Sequence, residues 1–255
     1  MSVFSGGHIL WKWEIIMHGI GTIINAAAIV VGSLAGMLFK SRISSRFQDT
    51  IMKTLGLAVI FIGISGGLTG LLNINENGGL ETAGTMLMIA SLTIGAIIGE
   101  AINIEDKLEH LGEWLKKKAG SSDSRFVEGF VTASLTVCVG AMAIVGAIED
   151  GLTGNFSTLL AKSILDAVIV MIFAAAYGKG VAFSAIPVAV LQGAVTLFAG
   201  LISPIFSEAV IANISFIGSI LIFCVGVNLS FGKKFKVANM LPAVIVPIIY
   251  GIFAA

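Results

Sequence analysis

The sequence predicts an all-α membrane protein, a polytopic bundle of about eight transmembrane helices. Only 12% of its 255 residues are charged, 56% are hydrophobic, and the mean hydropathy is +1.01. Soluble domains carry about twice that share of charge, so this composition cannot cover a water-exposed surface. The apolar residues lie in runs close to the roughly 20 residues that a membrane-crossing helix needs, and the alternation typical of a membrane β-barrel is absent.

The apolar runs define eight segments separated by short connections. They cover residues 20–39, 51–73, 83–103, 127–148, 157–177, 180–202, 207–231 and 238–254. Pro242 and Pro247 lie in the last segment and are expected to bend it, because proline removes a helical hydrogen bond. We expect residues 17–255 to form one integral membrane domain, preceded at 1–16 by an N-terminal extension that does not resemble a signal peptide.

Positive charges in the loops orient the bundle, since cytoplasmic loops of membrane proteins are enriched in lysine and arginine. The loops after the first, third, fifth and seventh segments contain 12 of the 15 such residues, and Lys53 at the base of the second segment is a thirteenth on the same side. Lys12 and Lys162 are the two on the other side. The sequence therefore predicts that these four loops face the cytoplasm and that both termini lie outside.

The longest connection contains a short amphipathic helix, predicted near 104–118. Its apolar residues recur at helical spacing, and its charges suit the helix dipole, with acidic residues first and Lys116, Lys117 and Lys118 last. Trp114 is typical of a membrane interface. We expect this helix to lie on the inner leaflet, in contact with lipid, either as a connector or as a surface that binds a partner.

Composition and motifs disfavour several classes of function. Lysine and arginine number 15, as do aspartate and glutamate, and no basic cluster has an aromatic platform beside it, so nucleic-acid binding is not expected. We find no P-loop, no HExxH motif and no nucleophile with a base, so we expect no enzyme, no cofactor and no metal. Cys138 and Cys224 lie in apolar runs, which is typical of buried thiols without a chemical role.

Ionisable residues inside apolar segments carry the functional information, because a charge at the bilayer centre costs about 2.5–3.5 kcal/mol. Lys162 and Asp166 lie four residues apart in the fifth segment and share one helix face. Glu149 and Asp150 end the fourth segment, and a short link joins the two. We expect these four residues to form a solute or ion site with Asp166 as the coupling residue. The alternative is a structural ion pair beside two solvated carboxylates.

Other polar residues are candidates for the lining of the site or for contacts between helices. Asn25, Gln192 and Asn228 lie within the first, sixth and seventh segments, where an amide can coordinate a solute or join two helices. Glu100 and Glu128 lie at the inner ends of the third and fourth segments and are secondary candidates.

Small residues four apart favour close helix packing. The pairs are Gly32 with Gly36, Gly66 with Gly70, and Gly95 with Gly99. Because one bundle of eight helices does not obviously need them all, we expect a homodimer.

Two stretches resemble a known family. The opening GTIINAAAIVVGSLAG at 21–36 and the central FVEGFVTASLTVCVGAMAIVGAIEDGLTGN at 126–155, followed by KSILD, are similar to the YqgA/YdfK-like bacterial integral membrane proteins, domain of unknown function 554. The resemblance covers about 17–255. It implies a bacterial inner-membrane protein of a kind commonly labelled a transporter, and it implies no substrate.

The absence of an ATP-binding element then favours a secondary transporter of a small solute or ion, driven by an ion gradient. The alternative is a membrane scaffold or sensor that does not transport. An intramembrane enzyme is the weakest hypothesis.

Overall fold

The computed structural model describes residues 18–40, 45–75, 77–138 and 141–254, and within them the chain is a helical bundle. The N-terminal extension predicted at 1–16 lies outside these residues. The α-helices, in order α1 to α12, are Ile20–Lys40, Ser45–Leu71, Thr85–Ile102, Ile104–Lys118, Phe126–Cys138, Ala141–Thr153, Ser157–Tyr177, Ala185–Leu197, Ala199–Ile202, Glu208–Phe231, Val237–Met240 and Val246–Ala254. Two 3-10 turns, Lys179–Ser184 and Leu241–Val244, precede α8 and α12.

Six stretches of the described chain are long and apolar enough to cross a membrane as single helices, and they coincide with six of the eight predicted segments. They are Ile20–Leu38, Asp49–Leu71, Thr85–Ile102, Ser157–Tyr177, Lys179–Leu197 and Glu208–Phe231. The predicted polytopic all-α bundle is therefore confirmed.

The other two predicted segments are interrupted. The fourth consists of α5 and α6, which are bent by 64° where they meet, so it is either one broken span or a re-entrant loop. The eighth is the shorter apolar stretch Val237–Ile252, in which the 3-10 turn at Pro242 separates α11 from α12. The 3-10 turn is the interruption expected at Pro242, whereas Pro247 lies in the first turn of α12. The total of eight spans stays a prediction.

The glycine pairs allow helices to approach closely within the chain. A Cβ atom at Gly32 or Gly36 of α1 would overlap the backbone of Ala167 or Met171 of α7. Gly66 and Gly70 of α2 meet α10 in the same way, and Gly95 and Gly99 of α3 meet the interrupted eighth segment. Because these glycines are used inside one bundle, they no longer support the predicted homodimer, which stays a prediction.

The predicted amphipathic helix is confirmed as α4. Asn103, in the left-handed conformation with φ 53°, turns the chain from α3 into α4. One face of α4, with Gly112 and Leu115, packs against the bundle, while Trp114 is 53% exposed and carries Lys118 over its ring. Its place on the inner leaflet stays a prediction.

The connection between α2 and α3 is a small β-hairpin that the hydropathy pattern did not predict. Its strands, β1 at Leu72–Ile74 and β2 at Leu80–Thr82, pair antiparallel. The Asn75 side chain accepts hydrogen bonds from two backbone N–H groups of the turn.

Candidate functional site

Lys162 and Asp166 form an ion pair on the buried face of α7. The four-residue spacing places both side chains on one side of the helix, and the Lys162 ammonium donates to both carboxylate oxygens of Asp166, at 2.9 and 2.7 Å. Lys162 is 7% exposed and Asp166 is 3% exposed. The pair lies among helices of the bundle and is shielded from its surface.

Lys162 also connects this pair to the bend in the fourth segment. Its ammonium donates to the backbone carbonyl of Val137 at 2.9 Å. Because α5 ends at Cys138, the last carbonyls of α5 have no partner within their own helix. A cation at this end of a helix also interacts favourably with the helix dipole. One lysine therefore stabilises both the Asp166 carboxylate and the interrupted helix.

Two amide side chains extend the contacts to α1 and α8. Asn25 is fully buried and its Nδ2 donates to Asp166 Oδ2 at 3.1 Å and to Gln192 Oε1 at 3.3 Å. Gln192 is 1% exposed. The remaining polar atoms, Asn25 Oδ1 and Gln192 Nε2, are buried without a hydrogen-bond partner. We call Asn25, Lys162, Asp166 and Gln192 the Asp166 group.

A second buried carboxylate lies where α6 ends and α1 begins. Asp150 is fully buried, and its Oδ2 accepts a hydrogen bond from the backbone N–H of Gly21 at 3.1 Å. That N–H is in the first turn of α1, where a helix has no acceptor of its own and favours an anion. The other oxygen, Asp150 Oδ1, has no partner, and neither do the buried hydroxyls of Thr22 and Thr196 nearby. We call Asp150, Thr22 and Thr196 the Asp150 group.

The charges of the two groups do not balance. Among the described residues, the buried ionisable side chains are Glu105, Asp150, Lys162 and Asp166, and Glu105 belongs to a separate cluster at the other end of the bundle. Lys162 pairs with Asp166, whereas the Asp150 carboxylate is bound by the Gly21 N–H and has no cation of its own among the ion pairs of the described residues. If all three are ionised, this part of the bundle carries one uncompensated negative charge.

A further polar cluster, the Glu105 cluster, joins α3 and α4 to the loop before α11. It consists of Glu100, Glu105, Lys233, Lys236 and Asn239. Asn239 accepts a hydrogen bond from the Glu105 backbone N–H at 2.7 Å and donates to Glu100 at 2.6 Å, and Glu105 accepts from the Ala238 N–H at 3.0 Å.

Two ion pairs complete the Glu105 cluster. Lys236 contacts Glu100 at 2.6 Å, and Lys233 contacts Glu105 at 2.9 Å. The hydrogen bond that Lys236 donates to Glu100 raises the pKa of Lys236. In contrast to the Asp166 and Asp150 groups, none of the buried side-chain atoms of this cluster lacks a partner.

Residues 20–252 match the family described as "Protein of unknown function (DUF554)". The chain belongs to this family. It is 33% identical to "Uncharacterized membrane protein YdfK" of Bacillus subtilis (strain 168) over 227 residues, which cover 89% of this chain and 93% of the relative. It is 31% identical to "Uncharacterized protein YqgA" of Escherichia coli (strain K12), with the same coverage of 89% and 93%. No solved structure matches the chain.

The structure separates some of the residues that the sequence placed together in this DUF554 chain. Asp166, Lys162, Asn25 and Gln192 meet, as expected, and Asp150 is buried close by. Glu149 is half-buried and turned aside, because its carboxylate accepts a hydrogen bond from Thr158 at 2.7 Å.

Asn228 does not line the same site. Its side chain binds the backbone of Lys234 and Phe235, because the loop after α10 folds back over the end of that helix. This placement corrects the expectation for Asn228. Glu100 lies in the Glu105 cluster, and Glu128 lines a separate cavity of about 400 Å³ together with Glu105, Glu109 and Asn228.

Sequence reasoning missed Thr22, Thr196 and Asn239. A threonine in an apolar helix carries no signal of its own, because its hydroxyl commonly bonds the carbonyl four residues earlier. Asn239 lies inside the predicted segment 238–254, so the signal that marked Asn25 and Gln192, an amide within an apolar segment, could have found it.

Proposed function

We propose that this chain is a secondary carrier, which moves a small solute or ion across the bacterial inner membrane and is driven by an ion gradient. The observation that carries the proposal is the Asp166 group, a buried polar group in an apolar bundle that combines unpaired amide atoms with a buried ion pair. Removing charges from water costs several kcal/mol per ion. Ionisable residues inside membranes therefore commonly mark solute, ion and proton pathways.

Asp166 is the coupling residue in this proposal. The Asp166 carboxylate holds the ammonium of Lys162, and Lys162 holds the Val137 carbonyl at the end of α5. Binding of a proton or a cation to Asp166 neutralises the carboxylate and weakens its attraction for Lys162. The contact between α7 and the bend of the fourth segment then loosens, and interrupted helices are the elements that line the sites of many carriers.

The Gln192 amide provides a contact for a solute. Gln192 Nε2 is a donor and is buried without a partner. An unpaired buried polar atom costs about 1–3 kcal/mol. A solute with a hydrogen-bond acceptor would recover that free energy on binding. Acceptors occur in many small polar solutes, so this donor does not select one.

The test is charge movement by the purified chain in proteoliposomes on a solid-supported membrane. The probes are rapid changes to lower pH, to Na⁺, to K⁺ and to glycine, each against choline. We expect the wild-type chain to give a current with at least one probe and Asp166→Asn to give none while remaining folded. Absence of current from the wild-type chain with every probe would favour the scaffold or sensor alternative.

A matched control lies in the same chain. Lys53 and Asp49 of α2 form an ion pair at 2.8 Å with the same four-residue spacing, but their side chains are 60% and 63% exposed. The variant Asp49→Asn should keep the wild-type current. Equal loss of current in Asp49→Asn and Asp166→Asn would show that the effect is not specific to the buried pair.

A further inference from the structure

We propose that the Asp150 group, completed by the Oδ1 atom of Asn25, binds a small monovalent cation of the Na⁺ type. This inference rests on the proposed function, because it identifies the class of coupling ion. It differs from that proposal in its site, which is centred on Asp150 and not on Asp166.

The helices place the residues that carry these oxygen atoms at similar heights along the bundle. Thr22 and Asn25 are three residues apart on α1, and Gln192 and Thr196 are four apart on α8, so each pair lies on one face of its helix. The hydrogen bond from Asn25 to Gln192 joins the two faces at one level. The helix α1 begins at the end of the bundle where α8 finishes. Thr22 and Thr196 therefore lie one helical turn nearer that end than Asn25 and Gln192 do.

Asp150 reaches the same level from α6. Its carboxylate binds the N–H of Gly21, the residue before Thr22. The next residue, Gly151, contacts the Thr196 backbone so closely that a Cβ atom there would overlap the Thr196 carbonyl. Asp150, Thr22 and Thr196 therefore converge from three helices, α6, α1 and α8.

Four helical hydroxyls of the described chain are buried without a hydrogen-bond partner, those of Thr22, Ser33, Ser91 and Thr196. Of these, Thr22 follows Gly21, whose N–H binds Asp150, and Thr196 contacts Gly151. Thr50, Thr54, Ser134, Thr136 and Ser163 each donate to the carbonyl four residues earlier in their own helix. Thr22 and Thr196 lie inside helices, are 7% and 8% exposed, and make no such bond. Their oxygen atoms remain available to a ligand, together with Asp150 Oδ1 and Asn25 Oδ1.

The donor set selects the ligand. The four unpaired atoms assigned to this site are oxygens, which are the ligands of hard cations, and only one of them carries a charge. The unpaired nitrogen beside them, Gln192 Nε2, is left to the solute. Divalent ions such as Ca²⁺ take six to eight oxygens, commonly with more than one carboxylate. A proton would neutralise Asp150 but would leave the hydroxyl and amide oxygens unpaired. One monovalent cation neutralises Asp150 and gives all four oxygens a partner.

The experiment is binding of radioactive Na⁺ to the purified chain in lipid nanodiscs, with choline as the background cation and K⁺ and a proton titration as competitors. We expect saturable binding of one Na⁺ per chain and loss of binding in Asp150→Asn. Thr22→Val and Thr196→Val keep the side-chain shape, and each should weaken binding by at least about tenfold. Thr136→Val, which removes a hydroxyl already bound to its own helix, should bind as the wild type does.

The outcomes separate this inference from the proposed carrier function. Binding of Na⁺ that survives in Asp166→Asn, while current is lost, supports both proposals. Absence of Na⁺ binding in the wild-type chain, or binding unchanged in both threonine variants, overturns the cation site and leaves the role of Asp166 standing. Threonine variants that are more stable than the wild type and bind Na⁺ normally would identify the hydroxyls as unused polar atoms. Should Asp150→Asn fail to fold, the two threonine variants still decide the question.

Discussion

The Asp166 group and the Glu105 cluster are both polar, and both connect helices that are distant in sequence, but they differ in how completely their atoms are paired. In the Glu105 cluster, Asn239 uses both its amide atoms, and Glu105 binds a backbone N–H and a lysine. In the Asp166 group, Asn25 and Gln192 each keep an unpaired atom although both are buried.

The difference indicates two kinds of task. A cluster whose buried atoms all have partners, and whose lysines reach the surface, holds the bundle together and needs no ligand. A buried group with unpaired atoms carries a continuing cost in stability. Such a cost is expected at a site whose missing partners arrive with a ligand.

The comparison is tested first by cysteine labelling from the two sides of the membrane, which shows on which side each region lies. This experiment comes first because each cysteine either reacts from a given side or does not. In a chain without native cysteines, Ser122→Cys, beyond α4, should react with an impermeant maleimide only from the cytoplasmic side. Asn77→Cys, in the turn of the β-hairpin, should react only from outside. The reverse pattern would place the Glu105 cluster outside and exchange the two faces of the proposed carrier.

The largest effect on stability is expected from Lys162→Met alone. The change leaves Asp166 without the ammonium and removes the partner of the Val137 carbonyl. Removing one member of a buried ion pair costs about 3–5 kcal/mol, measured as the free energy of unfolding in mixed micelles. Lys53→Met removes the exposed partner of Asp49 and should cost at most about 1 kcal/mol. Equal effects of the two variants would refute the distinction between buried and exposed pairs.

Asn239→Ala is expected to have the second-largest effect on stability. It leaves the Glu105 N–H and one Glu100 oxygen without their partner and should lower the free energy of unfolding by about 1–3 kcal/mol. Because the buried atoms of this cluster all have partners within the chain, the currents of the folded fraction should be unchanged. A current lost without any loss of stability would assign the Glu105 cluster to the transport pathway.

Lys236→Met should have the smallest effect, because both partners of the Lys236–Glu100 pair are more than half exposed. The hydrogen bond that Lys236 donates to Glu100 raises the pKa of Lys236. The stabilisation by the pair is therefore complete below the ordinary lysine pKa of about 10.4 and is lost as the pH rises through the higher folded value. Thermal unfolding at neutral pH should barely change in this variant. A large decrease would show that the pair supports the start of the eighth segment.

Most of the helices could be predicted from the sequence, because a membrane requires long apolar runs and these are visible in any chain. The ion pair of α7 could be predicted as well, since four-residue spacing fixes a shared face. The 64° bend between α5 and α6 could not, because no proline in the segment 127–148 indicates it. The unpaired hydroxyls of Thr22 and Thr196 were also invisible, because they depend on which helices meet them.

The role of Asn228 was wrong for a related reason. An amide in an apolar run predicts a contact inside the bundle. The run itself does not indicate that the following loop folds back over the end of the helix and binds this amide. The glycine pairs show the same limit. Their spacing predicts a close approach of another helix, and only the fold tells that the other helix belongs to the same chain.

The most direct test of the central claim, that the Asp166 group is a ligand site and not a structural ion pair, is transport by the double variant Lys162→Met with Asp166→Asn. Removing both charges avoids the cost of leaving one charge unpaired, so the chain should fold and insert about as well as the wild type. Measured in the same proteoliposomes, this stable double variant should give no current. A stable double variant with the wild-type current would contradict the claim and would leave the pair with a purely structural role.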